Sequence, residues 1–121
     1  MKNKKLNNKI GFRYAWNGLI YLVVHEKNFR IHIIATILVI TLSFIFQLNR
    51  MECAVILLII GMVLLAEIFN SVLEELLDFI EPAYHERVKI MKDMMAAAVL
   101  VLAFLSVVIG LLIFLPKILS G

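Results

Sequence analysis

Three long apolar runs, each about long enough to cross a membrane, dominate the hydrophobic pattern of this chain. The first begins at Ile31 and reaches Leu48 with only scattered polar interruptions. At 1.5 Å per residue it extends about 27 Å, close to the thickness of a bilayer's hydrocarbon core. The second run begins at Cys53, and the third ends at Leu115, before a proline. The pattern therefore predicts an all-α integral membrane protein with spans at about 31–48, 53–80 and 86–115.

The segment before the first span has a different pattern, in which apolar and polar residues alternate and the charges gather at the ends. Trp16 and two tyrosines within it are typical of the headgroup level of a membrane. We therefore predict an amphipathic helix on the membrane surface over about 8–26; a soluble N-terminal helix is the alternative. The polar residues HEKNFR, 25–30, are predicted to form a hinge between this helix and the first span.

Basic residues are distributed unevenly around the three predicted spans. With 121 residues and 63% hydrophobic content, the chain is too apolar for a soluble domain and too short for more than one unit, 1–121. Ten of its twelve Lys and Arg residues precede the first span or lie between Ile80 and Met94, before the apolar run of the third helix. By the positive-inside rule, the chain is predicted to be a multi-pass membrane protein with a cytoplasmic N-terminus. The basic segment leads to no small-residue cleavage pattern, so a signal peptide is not expected. A nucleic-acid partner is not expected either.

A polar stripe runs along the cytoplasmic half of the second span. At 100° per residue its members fall within about a third of the helix circumference, and apolar residues fill the rest. A carboxylate at hydrocarbon depth costs about 2.5 to 3.5 kcal/mol, so the stripe indicates a functional site. The stripe consists of Glu67, Asn70, Ser71, Glu74, Asp78 and Glu81.

The residue types near the cytoplasmic interface match what phosphoryl transfer requires. That reaction needs Mg²⁺ on phosphate oxygens, a positive charge at the transferring group and a carboxylate at the attacking hydroxyl. Glu26 and Glu74 lie within reach of water, Glu67 lies deeper, and Lys92 is expected to meet Glu74 across a turn that begins at Pro82. Neither GxxxxGK[ST] nor GxGxxG occurs, so a glycine-rich phosphate loop is absent from the sequence.

The string AEIFNSVLEELLDFIEPAYHERVKIMKDMMAAAVL, with HEKNFR and YAWNGL upstream, closely resembles the small bacterial diacylglycerol kinase family. The family pattern reads E-x-x-N-[ST]-[AV]-[IL]-E-x-x-[VL]-D, then Y-H, then K-D-M. The resemblance implies a surface helix and three transmembrane helices, assembled as a homotrimer with active sites shared between subunits. It also implies MgATP-dependent phosphorylation of a membrane lipid alcohol.

The same resemblance implies roles for individual residues. Glu67 matches the family's catalytic base, Asn70 its positioning partner, and Glu26 and Glu74 its metal-binding glutamates. The segment HEKNFRIH is similar to the corresponding segment of the Gram-positive branch, whose members prefer undecaprenol to diacylglycerol. His32 departs from the Gram-negative type, and Ala83 stands where some relatives carry an acid. Matches to positions that contact ATP are Tyr14, Tyr84, His85, Lys92 and Asp93, with Lys92 directed at the terminal phosphates.

Simpler interpretations remain for several of these residues. Glu67 could be a buried acid that hydrogen-bonds between helices, or it could face the shared cavity of a small oligomeric transporter or channel. A structural membrane adaptor is a third class. His85 could be an ordinary turn residue, and Lys92 with Asp93 a charge pair at a helix start. For Glu75, at the edge of the stripe, exposure to solvent is expected.

Overall fold

The computed structural model describes residues 4–120, with side chains from Gly11 onward, and shows four helices joined by short connections. Three of them are long and apolar enough to cross a membrane, which confirms the predicted number of spans and the all-helical class. Lys2 lies outside the described residues, as do the side chains of Lys4, Lys5 and Lys9 that contribute to the charge pattern. The helices are α1 (Lys4–His25), α2 (Lys27–Ile45), α3 (Arg50–Ile80) and α4 (Glu86–Ser120).

The break between α1 and α2 is a single residue, not the six-residue hinge predicted from the sequence. Glu26 has φ −108° and ψ 106°, an extended conformation, and α2 begins at the next residue. Lys, Asn, Phe and Arg all have ordinary helix propensities, so a polar run does not by itself interrupt a helix. The Arg30 guanidinium donates hydrogen bonds of 2.9 Å to the carbonyls of Val23 and Val24, which would otherwise be unpaired at the end of α1.

Apolar side chains occur all around α1 and not on one face of it, so α1 is less amphipathic than the sequence pattern predicted. Phe12, Trp16 and Val24 are all exposed in the single chain. The strongest anchor of this region is instead Phe29 at the start of α2, which is only 2% exposed. The position of Glu26 is therefore determined by its neighbours in α2 more than by α1.

The turn between α2 and α3 is as long as predicted but lies three residues earlier in the chain, because both helices are capped. α2 ends at Ile45, and Gln47 follows with φ 53°, in the left-handed region usually occupied by glycine. The N–H of Leu48 bonds to the carbonyl of Ser43, which closes a Schellman turn. Asn49 and Glu52 then form a reciprocal capping box, so α3 begins at Arg50 and not at Cys53.

The predicted end of α3 at Ile80 and start of α4 at Glu86 are confirmed, whereas the predicted end of the third span at Leu115 is wrong. α4 continues through Pro116 to Ser120. A proline removes one backbone hydrogen bond, and apolar membrane helices tolerate this loss when neighbours compensate. Here Lys117, the next residue, pairs with Glu52 of α3 at 3.2 Å, which holds the last turn of α4 against α3.

α3 is the central helix, packing mainly against α4 and also against α2, which in turn contacts α1. At 31 residues it extends about 46 Å, longer than a hydrocarbon core of about 30 Å. Among the residues with described side chains, those that are both polar and buried all belong to α3. They are Glu67, Asn70 and Ser71, and they form the deep end of the polar stripe.

Candidate active site

Glu67 is the most buried ionisable residue of the stripe, with only 3% of its surface exposed. It lies 17 residues after Arg50, or about 25 Å along α3, within the length of about 30 Å that a hydrocarbon core spans. Its Oε2 is 3.5 Å from Nε2 of His32, on α2. The burial of Glu67 agrees with the prediction of a partly desolvated carboxylate, whereas its depth just below the interface stays a prediction, and the neighbour from α2 is new.

Asn70 lies one turn from Glu67 along the same face and is also buried. Its Nδ2 donates a long hydrogen bond of 3.4 Å to Oε1 of Glu74, the next acid of the stripe. Its Oδ1 is buried and has no hydrogen-bond partner among the described residues. A buried amide oxygen of this kind is unfavourable unless a donor from outside the chain, such as a hydroxyl, can reach it.

Lys92 contacts Asp78 and not Glu74, the acid that the sequence pattern placed at its depth. The distance from Lys92 Nζ to Asp78 Oδ1 is 2.6 Å. Asp78 lies one turn beyond Glu74 toward the loop, so α4 sits about one helical turn away from the register that residue counting predicted. The pair is largely exposed, and exposed ion pairs contribute little stability, so a more highly charged group can compete for Lys92.

The connection between α3 and α4 forms an open pocket of about 310 Å³ that includes Tyr84, His85 and Lys92. His85 accepts a hydrogen bond of 3.1 Å at Nδ1 from the backbone N–H of Arg87, and thereby caps α4. The neutral ring then carries its proton on Nε2, which remains available as a donor. Three of the residues predicted to contact nucleotide therefore share one pocket at the start of a helix.

Asp93, the fourth nucleotide candidate on this side, lies just outside that pocket's lining and pairs with Lys89 at 2.7 Å. The simpler alternative, a charge pair of Lys92 with Asp93, does not form: Lys92 pairs with Asp78, and Lys89 pairs with Asp93. Each lysine thus lies beside one acid near the start of α4.

Tyr14 and Glu26 come from the first part of the chain, Tyr14 from α1 and Glu26 from the break between α1 and α2. Glu26 is half-buried at the break before α2, and Tyr14 is exposed on α1, whereas Glu74 is exposed on α3. Over the part of the chain with described side chains, no three or more His, Cys, Asp or Glu residues gather as a metal site. Two accessible carboxylates still suit Mg²⁺, which is commonly held by one or two carboxylates together with phosphate oxygens.

An apolar groove of about 310 Å³ extends from His32 toward the turn between α2 and α3, and is lined by α2, α3 and α4. Val39, Ile56 and Phe114 are among its lining residues, and Gly110 contributes no side chain to it. His32 is the ionisable residue of this lining and lies at the end nearer the break between α1 and α2. The polar contact of Glu67 and the apolar interior of the chain therefore meet at His32.

The sequence pattern of prokaryotic diacylglycerol kinase matches residues 13–114 of the chain, a range that includes every predicted site residue. The chain belongs to this family. The resemblance inferred from the polar residues of α3 is thereby confirmed, and it places the chain among lipid kinases.

Individual relatives agree with the family assignment. A diacylglycerol kinase of Synechocystis sp. is 38% identical over 112 residues, 92% of this chain but 64% of the relative's own length. The undecaprenol kinase of Bacillus subtilis is also 38% identical, over 88% of this chain and 86% of its own length. The diacylglycerol kinase of Escherichia coli K12 is 29% identical over 84% and 89% of the two chains. These relatives are named for two different lipid substrates.

The contacts of three residues at or near the site were not predicted from the sequence. His32 was noted as a departure from the Gram-negative type and not as a partner of Glu67, although a histidine at the start of an apolar run is a signal that another polar group lies opposite. Arg30 was counted as a positive-inside residue, but it fixes the end of α1 beside Glu26. Asp78 was placed on the stripe without its partner, because pairing across α3 and α4 depends on their register.

Proposed function

We propose that this protein transfers the γ-phosphoryl group of ATP to the hydroxyl of a membrane lipid alcohol, undecaprenol and/or diacylglycerol. The supporting observation is that the polar stripe continues from buried Glu67 to exposed Asp78, which pairs with the half-buried Lys92 of the loop pocket. A lipid hydroxyl rests at the interface, and nucleotide arrives from water. The stripe connects these two depths.

In the proposed reaction Glu67 accepts the proton of the lipid hydroxyl while the hydroxyl oxygen forms a bond to the γ-phosphorus. The bond from phosphorus to the bridging oxygen of ADP breaks, giving lipid phosphate and ADP. Asn70, one turn from Glu67 on the same buried face, would position the groups around the reacting hydroxyl. Burial of Glu67 and Asn70 excludes water that would otherwise compete as acceptor of the phosphoryl group.

The nucleotide is assigned to the cytoplasmic end of α4. Lys92 would leave Asp78 for the terminal phosphates, and Tyr84 and His85 line the same pocket. Tyr14 and Asp93 complete the proposed contacts. Glu26 and Glu74 would hold Mg²⁺, which when bound neutralises phosphate charge and fixes the orientation of the phosphates.

We further infer a homotrimer in a bacterial cell membrane, with α1 at the cytoplasmic surface and active sites shared between subunits. Glu74 and Asp78 are exposed in the single chain, so α2 and α4 of the same chain do not enclose the site. No residue of α4, described over its whole length, is buried in the single chain, which leaves its surface free for a neighbour or for lipid.

A phosphorylation assay tests the proposed function directly. The purified protein, in mixed micelles with Mg²⁺ and labelled ATP, would be given undecaprenol or diacylglycerol, with dodecane as the control without a hydroxyl. Label is expected in at least one lipid and not in the control. A transporter or channel would consume no ATP with either lipid, and that result would overturn the proposal.

The metal assignment predicts a specific change in Mg²⁺ dependence. Glu26→Gln and Glu74→Gln each remove one anionic ligand, so the Mg²⁺ concentration for half-maximal turnover should rise about tenfold, a loss of about 1.4 kcal/mol. Turnover would be measured across a Mg²⁺ titration at constant ATP. Glu75→Gln, which removes an exposed carboxylate of the same helix, is the control and should not change the titration. Unchanged midpoints in both test variants would refute the assignment.

The shared site predicts complementation between inactive subunits. Glu67→Gln and Glu26→Gln subunits, unfolded together and reassembled, should recover part of the activity if these residues act from different chains. Each variant reassembled alone is the control, and differently tagged subunits report mixing. Absence of recovery in demonstrably mixed oligomers would show that both residues act within one chain.

A further inference from the structure

We propose that His32 is a positioning residue for Glu67, holding the carboxylate directed at the lipid hydroxyl. The inference rests on the proposed function and adds to it a residue from a different helix. Its basis is the contact of 3.5 Å between His32 Nε2 and Glu67 Oε2, across the interface of α2 and α3.

Burial of Glu67 makes a partner necessary. A carboxylate that is 3% exposed has lost most of its hydration, and an ionised group in such a place is stable only when it is paired and hydrogen-bonded. Among the described side chains, His32 is the one that makes a polar contact with Glu67. At 3.5 Å the contact is longer than an ideal hydrogen bond, as is common for catalytic contacts before substrate binds.

Two neighbouring polar side chains, Asn70 and Thr36, have partners elsewhere. The Nδ2 of Asn70 is directed at Glu74, and the hydroxyl of Thr36, one turn from His32 on α2, donates to the carbonyl of His32 at 2.7 Å. The His32 side chain itself is 26% exposed and lines the end of the apolar groove nearer the break between α1 and α2. His32 therefore lies between Glu67 and the membrane interior.

The start of α2 holds His32 in this position. Phe29, one turn earlier, is almost fully buried, and Arg30 bonds to the end of α1. Both contacts restrain rotation of α2 about its axis, so the imidazole is directed at α3 before any substrate binds. A pre-oriented base stabilises the transition state more than it stabilises bound substrate. Loss of His32 should therefore lower kcat and leave the KM for MgATP unchanged.

Three variants at His32 test the role. His32→Leu removes the donor, and since hydrogen bonds to charged groups contribute about 1.5 to 3 kcal/mol, kcat should fall about 10- to 100-fold with an unchanged KM for MgATP. His32→Phe is a second apolar variant, closer in shape to the imidazole, with the same expected loss. His32→Gln keeps an N–H donor and should recover most of kcat. Turnover is expressed per assembled oligomer, so that a folding defect does not mimic a catalytic one.

Controls separate positioning from general structural effects. Thr41→Val removes a hydroxyl of α2 that bonds only to its own helix, at the carbonyl of Ile37, and should leave kcat unchanged. In a Glu67→Gln background, His32→Leu should cause no further loss, because its effect acts through Glu67. A merely structural role would instead lower kcat in both backgrounds, and that result would overturn the proposal.

The remaining outcomes also distinguish the two levels of inference. Equal kcat in the wild type and His32→Leu, or the same loss in His32→Gln and His32→Leu, would refute the role of His32 and leave the lipid kinase proposal intact. Absence of lipid-dependent ATP consumption in the wild type and Thr41→Val would refute the kinase proposal itself.

Discussion

Glu67→Gln is expected to lower lipid phosphorylation by about 10²- to 10⁴-fold, the usual contribution of a general base. The glutamine keeps the size and most of the hydrogen-bonding capacity of the side chain but cannot accept the proton of the lipid hydroxyl. Because Glu67 is buried beside His32, water cannot easily substitute for it. The residues assigned to nucleotide lie in the loop pocket and on exposed parts of the stripe, so MgATP should bind as before.

Two measurements on the same preparation check this prediction: turnover with the preferred lipid, and MgATP affinity by calorimetry or a fluorescent nucleotide. Glu75→Gln makes the same chemical change at an exposed position of α3 and should retain turnover close to that of the wild type. More than about a tenth of wild-type turnover in Glu67→Gln, a loss smaller than the range for a general base, would exclude that role. Parallel loss of MgATP binding would instead indicate a structural role.

Lys92→Met is expected to lower turnover by about 10²- to 10³-fold, comparable with the removal of one preorganised donor to a developing negative charge. In the free chain the Lys92 ammonium is 2.6 Å from Asp78, and a triphosphate carries more charge than that single carboxylate. Lys92 should therefore transfer from Asp78 to the phosphates when nucleotide binds. Methionine retains the apolar stem, so insertion into the membrane and assembly should not change.

The matched control for Lys92→Met is Lys117→Met at the opposite end of α4. It also removes a lysine that pairs with an acid of α3, here Glu52 at 3.2 Å, but at the end of α3 opposite to the polar stripe. Lys117→Met should therefore lower thermal stability slightly and leave turnover unchanged. Near-normal turnover in correctly assembled Lys92→Met would contradict the assignment, as would an equal loss of turnover in both variants.

Helix ends show where sequence rules were sufficient and where they were not. Pro82 follows the last turn of α3, and its effect on the preceding residue is local, so the end at Ile80 was predictable. Gln47 adopts a conformation that usually requires glycine, and its turn is stabilised by a backbone bond from Leu48 to Ser43. The end of α2 was therefore misplaced by three residues. At Pro116 the error was the opposite one, since α4 was predicted to end too early. A tertiary contact of Lys117 supports the helix beyond the proline.

The sequence by itself determined the class, the number of spans, the family and the polar stripe. Each of these depends on composition or on spacing within one helix, which a fixed rise and a fixed rotation per residue make readable. Glu67 and Asn70 share a face for this reason alone. Only the tertiary structure decided that His32 contacts Glu67 and that Lys92 contacts Asp78 instead of Glu74. Those contacts depend on how each helix is rotated and shifted against its neighbour, and in a membrane many apolar side chains contribute to that packing.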